Sequence, residues 1–178
     1  QTFTDLEIII CDNASVDGTE AICRDFQRRD PRIRYFRRRQ NVGAAANYNQ
    51  TFQFTTGEYF KWAAHDDLCA PEFVARCVEV LDRDGGAVLA YPKAKIIDDN
   101  SQELEKYSLK LPTDSWSPVI RFIALLSGHK CFEVFGLIRR SALTKTALIG
   151  AYTHGDGVLL SRLALLGRFV EVPEYLFF

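Results

Sequence analysis

Apolar positions recur along the chain in two alternating rhythms. Glu7–Cys11 is a short apolar run with three consecutive isoleucines, which predicts a strand buried on both faces. Thr19–Arg28 changes to a helical rhythm with Ile22, Cys23 and Phe26 facing inward. Strands are expected at Ile33–Arg37, Tyr59–Ala63 and Val88–Tyr91, and helices at Ala44–Phe54 and Pro71–Asp84. In the second of these helices Phe73, Val74, Cys77, Val78 and Leu81 form one stripe, and Pro71 suits a first turn, where its missing N–H costs nothing. Beyond residue 92 the rhythm weakens. Trp116–Leu126, Ser141–Ile149 and Val158–Leu166 read as helices and Arg168–Val172 as a strand, while the polar, aperiodic stretch Lys93–Ser117 reads as a mobile flap.

Strands alternating with helices predict an α/β fold with a mostly parallel sheet covered on both faces. Ligands of such sheets bind beyond the carboxyl ends of the strands. The loops expected there are Asp12–Gly18, Asn41–Gly43 and His65–Asp67, all polar and rich in Asp, Asn or Gly.

Composition narrows the setting. The chain has 178 residues, 47% apolar and 25% charged, which fits one soluble domain. A net charge of −1 argues for neither a nucleic-acid nor an anionic-membrane partner, and no apolar run approaches the ~20 residues of a membrane span. The chain starts at Gln1 and contains no Met, so a start codon and any leader are expected upstream. Cys11, Cys23, Cys69, Cys77 and Cys131 are odd in number and form no C-x-x-C, which suits reduced thiols of a cytoplasmic protein. Neither Cys nor His clusters at ligand spacing, so no zinc site is expected.

Four polar stretches carry candidate chemistry. In Asp12–Thr19, Ser15 and Asp17 suit capping of the next helix, while Asp12 at a strand tip suits a nucleobase or ribose. In Arg39–Asn47, Gly43 and three alanines open a helix. Close helix–sheet packing explains them, and so does an anion at the helix N-terminus, with Arg39 near enough to reach a phosphate. In Trp62–Asp67, the adjacent carboxylates Asp66 and Asp67 repel each other and call for a cation, such as Mg or Mn on a diphosphate; Asp67 as a helix cap is the plainer alternative. In His154–Gly157, Asp156 precedes a helix, where the dipole alone would favour it. Seven arginines from Arg28 to Arg39 could mark a nucleic-acid patch, but their helix-end, strand, loop setting favours a solvated sheet edge.

Taken in order and spacing, the four stretches resemble the family 2 glycosyltransferases of GT-A fold, along essentially the whole chain. Asp12–Thr19 is similar to that family's D-D-G-S-x-D-G-T nucleoside segment, with Asn13 where a second Asp is usual. Arg39–Asn47 resembles the N-x-G-x-x-x-x-N segment near the diphosphate, and Ala64-His65-Asp66 lies on the D-x-D metal motif with Ala64 in place of its first Asp. Gly155-Asp156 falls where the family keeps its base, and Gly136–Ser141 resembles a segment walling the acceptor site. The resemblance implies one domain, residues 1–92 forming a nucleotide-binding half and 93–178 an acceptor-side half. It implies a nucleotide site of Asp12, Asn13, Ser15, Asp17, Arg39, Asn41, Gly43, Asn47 and His65, a divalent metal on Asp66 supported by Asp67, and Asp156 as catalytic base with Glu133 the next candidate. The implied reaction moves a sugar, with inversion, from a nucleotide-diphosphate sugar (a UDP-sugar first) to a glycan or lipid-linked acceptor in bacterial surface glycan synthesis. That places the protein in the cytoplasm, at the inner face of the membrane, in peripheral contact with it.

The resemblance also implies that the family's first strand and helix precede Gln1 and that further residues follow Phe178. The absent strand would lie between the strands ending at Cys11 and Ala63. A strand swapped in from a second copy, or direct pairing of those two neighbours, is expected to close the sheet, and the isolated chain is not expected to turn over. Rival readings are a non-catalytic nucleotide- or glycan-binding module and a sugar-phosphate nucleotidyltransferase of related fold.

Overall fold

The structure, a computed structural model, describes residues 1–126 and 130–178. The elements follow in the order β1 (Ile8–Asp12), α1 (Thr19–Arg29), β2 (Ile33–Arg37), α2 (Ala44–Gln53), β3 (Tyr59–Phe60), α3 (Phe73–Arg83), β4 (Ala87–Ile97), β5 (Glu103–Lys106), α4 (Pro118–Leu125), β6 (Leu137–Arg139), α5 (Arg140–Leu143), α6 (Gly155–Leu166) and β7 (Arg168–Phe177). The α/β reading holds, and the sheet structure is mixed. β1 runs parallel to β2 and β4 parallel to β7, whereas β3 and β4 flank β6 antiparallel and β5 folds back on β4.

The five-stranded sheet carries the core. Alternate residues point to opposite faces of a strand. Accordingly Ile138 and Phe169 pack under α6 with Leu159, Leu160 and Leu163, while Leu137 and Val172 pack under α3 with Phe73, Cys77 and Leu81. The α3 stripe is therefore as expected, although the helix begins at Phe73 and leaves Pro71 outside it. The Gln1 side chain occupies that end: its oxygen accepts from Val74 N and its amide donates to Ala70 O.

The second half departs furthest from expectation. β4 continues to Ile97 and turns into β5, so Lys93–Ser117 begins as an antiparallel hairpin and not as a flap. The stretch is then pinned by buried Leu111 and Thr113, whose carbonyl accepts from Phe169 N. Ser141–Ile149 holds only the single turn of α5.

β1 and β2 form a separate two-stranded sheet. Among the described residues β1 pairs only with β2 and β3 only with β6, so direct pairing of the strands ending at Cys11 and near Ala63 does not occur. The three isoleucines are half-buried instead of fully enclosed. Nor do Ile22 and Phe26 face inward: they are 59% and 52% exposed and no residue of α1 is buried, because two strands offer that helix too narrow a bed.

Candidate functional site

Asp12 closes β1 and is buried. One carboxylate oxygen accepts from Ser15 N at 2.8 Å and the other from the Tyr35 hydroxyl at 2.6 Å, with Arg37 Nε at 3.4 Å. Burial alone would raise its pKa, but the bonds from Tyr35 and Ser15 and the Arg37 charge hold it below the usual carboxylate range. The ionised group thus shapes the loop that carries Ala14 in the left-handed region, at φ 68°.

Asn13 joins this loop to the next. Its Nδ2 donates to Asn41 Oδ1 at 2.8 Å, its Oδ1 accepts from Val42 N at 3.0 Å, and Asn41 Oδ1 also accepts from Gly43 N at 2.8 Å. Gly43 stands before α2 with φ 84°, a conformation that favours glycine. Asn47, one turn into α2, donates to Cys11 O at 2.7 Å. The structure thus brings Asp12, Asn13, Ser15, Asn41, Gly43 and Asn47 together at the carboxyl end of β1. Asp17 instead turns to α1, accepting from Thr19 N and Oγ1, and Arg39 stands exposed. Most other arginines of the cluster have local carboxylates: Arg28 and Arg29 with Asp25, Arg32 with Asp30, Arg34 with Glu7, and Arg37 with Glu20.

The acidic loop follows β3. His65 and Asp66 side chains are 96% and 72% exposed, 3.7 Å apart. Asp67 is half-buried, and its Oδ2 is buried with no hydrogen-bond partner among the described residues. Burial first, then the Asp66 charge, push its carboxyl up, against the opposing pull of Lys61 and His65. A buried carboxylate oxygen without a donor fits a cation ligand, and on that ground these residues suit a divalent metal. Below the loop the Lys61 ammonium lies 4.7 Å from the Phe73 ring and donates to Trp62 O, and burial lowers its pKa.

Asp156 lies in the first turn of α6, which starts at Gly155 and not at Val158. Its Oδ1 accepts from Gly157 N at 2.8 Å. It lines a cavity of about 420 Å³ together with Ala44 and Ala45 of α2, Tyr48, Trp62, Val134, Phe135 and Tyr152. Tyr48 connects this cavity to the acidic loop: burial, then the charges of Asp66 and Asp67, raise its pKa. Asn49 fixes the rim by a paired bond, its amide donating to Ile149 O at 2.9 Å and accepting from Ile149 N at 3.1 Å. A Cβ on Gly155 would lie 2.2 Å from Gly150 O, so that glycine seats the base of α6 directly on the rim. Of Gly136–Ser141, Leu137 and Ile138 are buried in the sheet, and Arg139, Arg140 and Ser141 line a different cavity beside Thr56–Glu58, whereas Val134 and Phe135, just before the segment, line this one. Sequence reasoning missed Tyr35, Lys61, Tyr48 and Asn49. Only Lys61, a lone charge between Phe60 and Trp62, left a visible signal.

Comparison with known proteins bears on the family and the fold. The family model described as glycosyl transferase family 2 matches residues 1–146, a span that stops short of Asp156. An uncharacterized glycosyltransferase of Rickettsia typhi is 32% identical over 152 residues, covering 79% of this chain and 46% of that protein. Staphylococcus aureus TarS 1–349 in complex with UDP-GlcNAc superposes with a TM-score of 0.77 at 14% identity, over 99% of this chain and 50% of that one. Mannosyltransferase PcManGT from Pyrobaculum calidifontis, in complex with GDP-Man and Mn2+, gives 0.65 at 17% identity, over 95% and 46%. The chain thus spans about half the length of each of these three proteins. Within the described residues no helix is long and apolar enough to cross a membrane. With its fold that of GT-A glycosyltransferases and most of its length matched by the family model, the chain belongs to glycosyltransferase family 2.

Proposed function

We propose that this chain forms the donor site and the base of an inverting glycosyl transfer from a nucleotide-diphosphate sugar, a UDP-sugar first, to a hydroxyl of a growing bacterial surface glycan. The observation that carries the reading is the shared cavity, in which the carboxylate of Asp156 and the open N-terminus of α2 line one space. The joined loops of Asp12–Gly18 and Asn41–Gly43 would hold the nucleoside, with Asp12 fixing the loop shape and Asn13 its junction. Main-chain N–H groups at the start of α2, with Arg39, would face the diphosphate. Asp66 and Asp67 would hold a divalent ion, Mg or Mn, with His65 beside them; such an ion offsets charge on the departing diphosphate. Asp156 would take the acceptor hydroxyl proton on a carboxylate oxygen as the hydroxyl attacks the anomeric carbon. Residues 1–92 would thus serve the donor and 93–178 the acceptor. The cytoplasmic face of the membrane suits both partners.

Asp156→Asn tests the assignment, because the amide oxygen can still accept from Gly157 N while the group can no longer take a proton. In the enzyme carrying this chain, kcat should fall roughly 10²–10⁴-fold with donor affinity unchanged. A near-normal kcat would move the base elsewhere, to Glu133 next.

A further inference from the structure

Cys131, His154 and Asp156 are far from any metal-ligand spacing in sequence, yet the fold gathers them. Their ligand atoms all lie within 4.8 Å of one another, and this is the metal-capable group of three among the described residues. A tetrahedral zinc ion with bonds of about 2.0–2.3 Å needs donor atoms roughly 3.3–3.7 Å apart, so the set has to close by only about 1 Å, and His154 is exposed. An independent measure shows that two of the donors face one point. A Cβ placed on Gly157 would lie 3.5 Å from His154 Nδ1 and 3.6 Å from Cys131 Sγ, and glycine leaves that point open. Cys131 and His154 also both hold the left-handed backbone conformation, at φ 55° and 61°, each directly before a helical turn. Two non-glycine residues kept in that conformation within one cluster are the kind of strain that functional sites retain.

We propose that Cys131, His154 and Asp156 form a site for a soft divalent ion, zinc in particular, separate from the carboxylate pair Asp66 and Asp67. Thiolate and imidazole select zinc, while magnesium and manganese prefer oxygen donors, so the two sites divide the ions between them. Binding forms a sulfur–metal bond and releases the thiol proton to solvent. His154 and Asp156 both line the cavity, so the fourth coordination position opens toward the reacting groups. A consequence, which rests on the base role given to Asp156 above, is that bound zinc withdraws the base and stops transfer.

Cobalt titration of the 178-residue chain, with magnesium in excess, reads the site without any turnover. One equivalent should give a thiolate-to-cobalt charge-transfer band with tetrahedral visible bands, displaced by zinc. Cys131→Ser should abolish the band, and His154→Ala should weaken binding roughly tenfold or more, the scale on which even supporting residues of metal sites act. Cys23→Ser should change nothing, and exposed His154 supplies an independent reading if Cys131→Ser fails to fold. Absence of a thiolate band, or a band that survives both Cys131→Ser and His154→Ala, overturns the site. Transfer assays on the enzyme carrying this chain then separate the two claims. Zinc should inhibit the wild type and spare Cys131→Ser, each measured against its own rate without zinc. A wild type that shows the band yet transfers sugar normally in zinc upholds the site and overturns Asp156 as base.

Discussion

Glu7 offers a test of how the two sheets are joined. One of its carboxylate oxygens accepts from Thr56 N, Thr56 Oγ1 and Gly57 N ahead of β3, while the other pairs with Arg34 at 3.2 Å on β2. Glu7→Ala removes all of these. Hydrogen bonds to a charged group contribute about 1.5–3 kcal/mol, and an exposed ion pair adds under about 1 kcal/mol. With 29% of the side chain open to water, which can replace part of the loss, about 2–3 kcal/mol is expected. That lowers Tm by roughly 4–12 °C for a chain of this size. Glu7→Gln keeps an acceptor for the N–H groups and loses only the charge, at a cost of about 1 kcal/mol. The pH dependence has a definite sign. Burial alone would raise the Glu7 pKa, but the bonds from Thr56 and Gly57 and the Arg34 charge lower it from 4.5. A lowered folded-state pKa gives stability that is present above 4.5 and is lost as pH falls through the folded value. Urea melts should therefore show the largest gap between wild type and Glu7→Gln at neutral pH, closing in acid. A gap that is constant, or widens in acid, would refute the reasoning.

Three further outcomes follow from particular contacts. Asn13→Asp sets two acceptors face to face across the 2.8 Å now spanned by Asn13 and Asn41, and nucleoside-diphosphate affinity should fall roughly 2–12-fold by titration calorimetry; tighter binding would contradict the joint. Arg139→Ala takes this donor from the carbonyls of Ala87 and Leu81, while Asp84 O keeps the bond from Ala87 N, so chemical melts should show a loss of about 3 kcal/mol that Arg139→Lys, with a single ammonium, does not recover. Gly155→Ala forces a Cβ within 2.2 Å of Gly150 O, which should cost about 1–3 kcal/mol and lower kcat by displacing Asp156; unchanged kinetics would show that the rim yields freely.

The sequence was most legible where one local rule governs. The α3 stripe, the tips of β1 and β2 and the Asp12 and Asn41 loops follow from periodicity and turn chemistry, and they lie where expected, whereas β3 stops at Phe60 and β4 runs on to Ile97. It was least legible where the decisive contact is distant. β6 is three residues long and owes its existence to β3 and β4 on either side, so no local pattern marks it. The inward reading of Ile22 and Phe26 assumed a wide sheet beneath α1, and helical periodicity alone carries no information about what lies opposite. At the site, Asp12 and Asp156 were visible as acidic residues beside predicted elements. Tyr35 and Asn49 were not, since a tyrosine in a strand or an asparagine in a helix is unremarkable until its partner 23 or 100 residues away is known.

The separation of β1 and β2 from the main sheet gives the molecule two levels of local stability. The larger sheet has both faces buried, whereas α1 contributes no buried side chain, so backbone opening should be far cheaper in the smaller unit. The loops assigned to the nucleotide sit on that weaker unit and are tied to α2 by Asn13 and Asn47. A ligand that bridges them binds only the closed arrangement, so its observed affinity is its intrinsic affinity reduced by the fraction of molecules already closed. By the same linkage a nucleotide held there would stabilise the unit on which it rests, and amide exchange in β1 and β2 would then report donor occupancy.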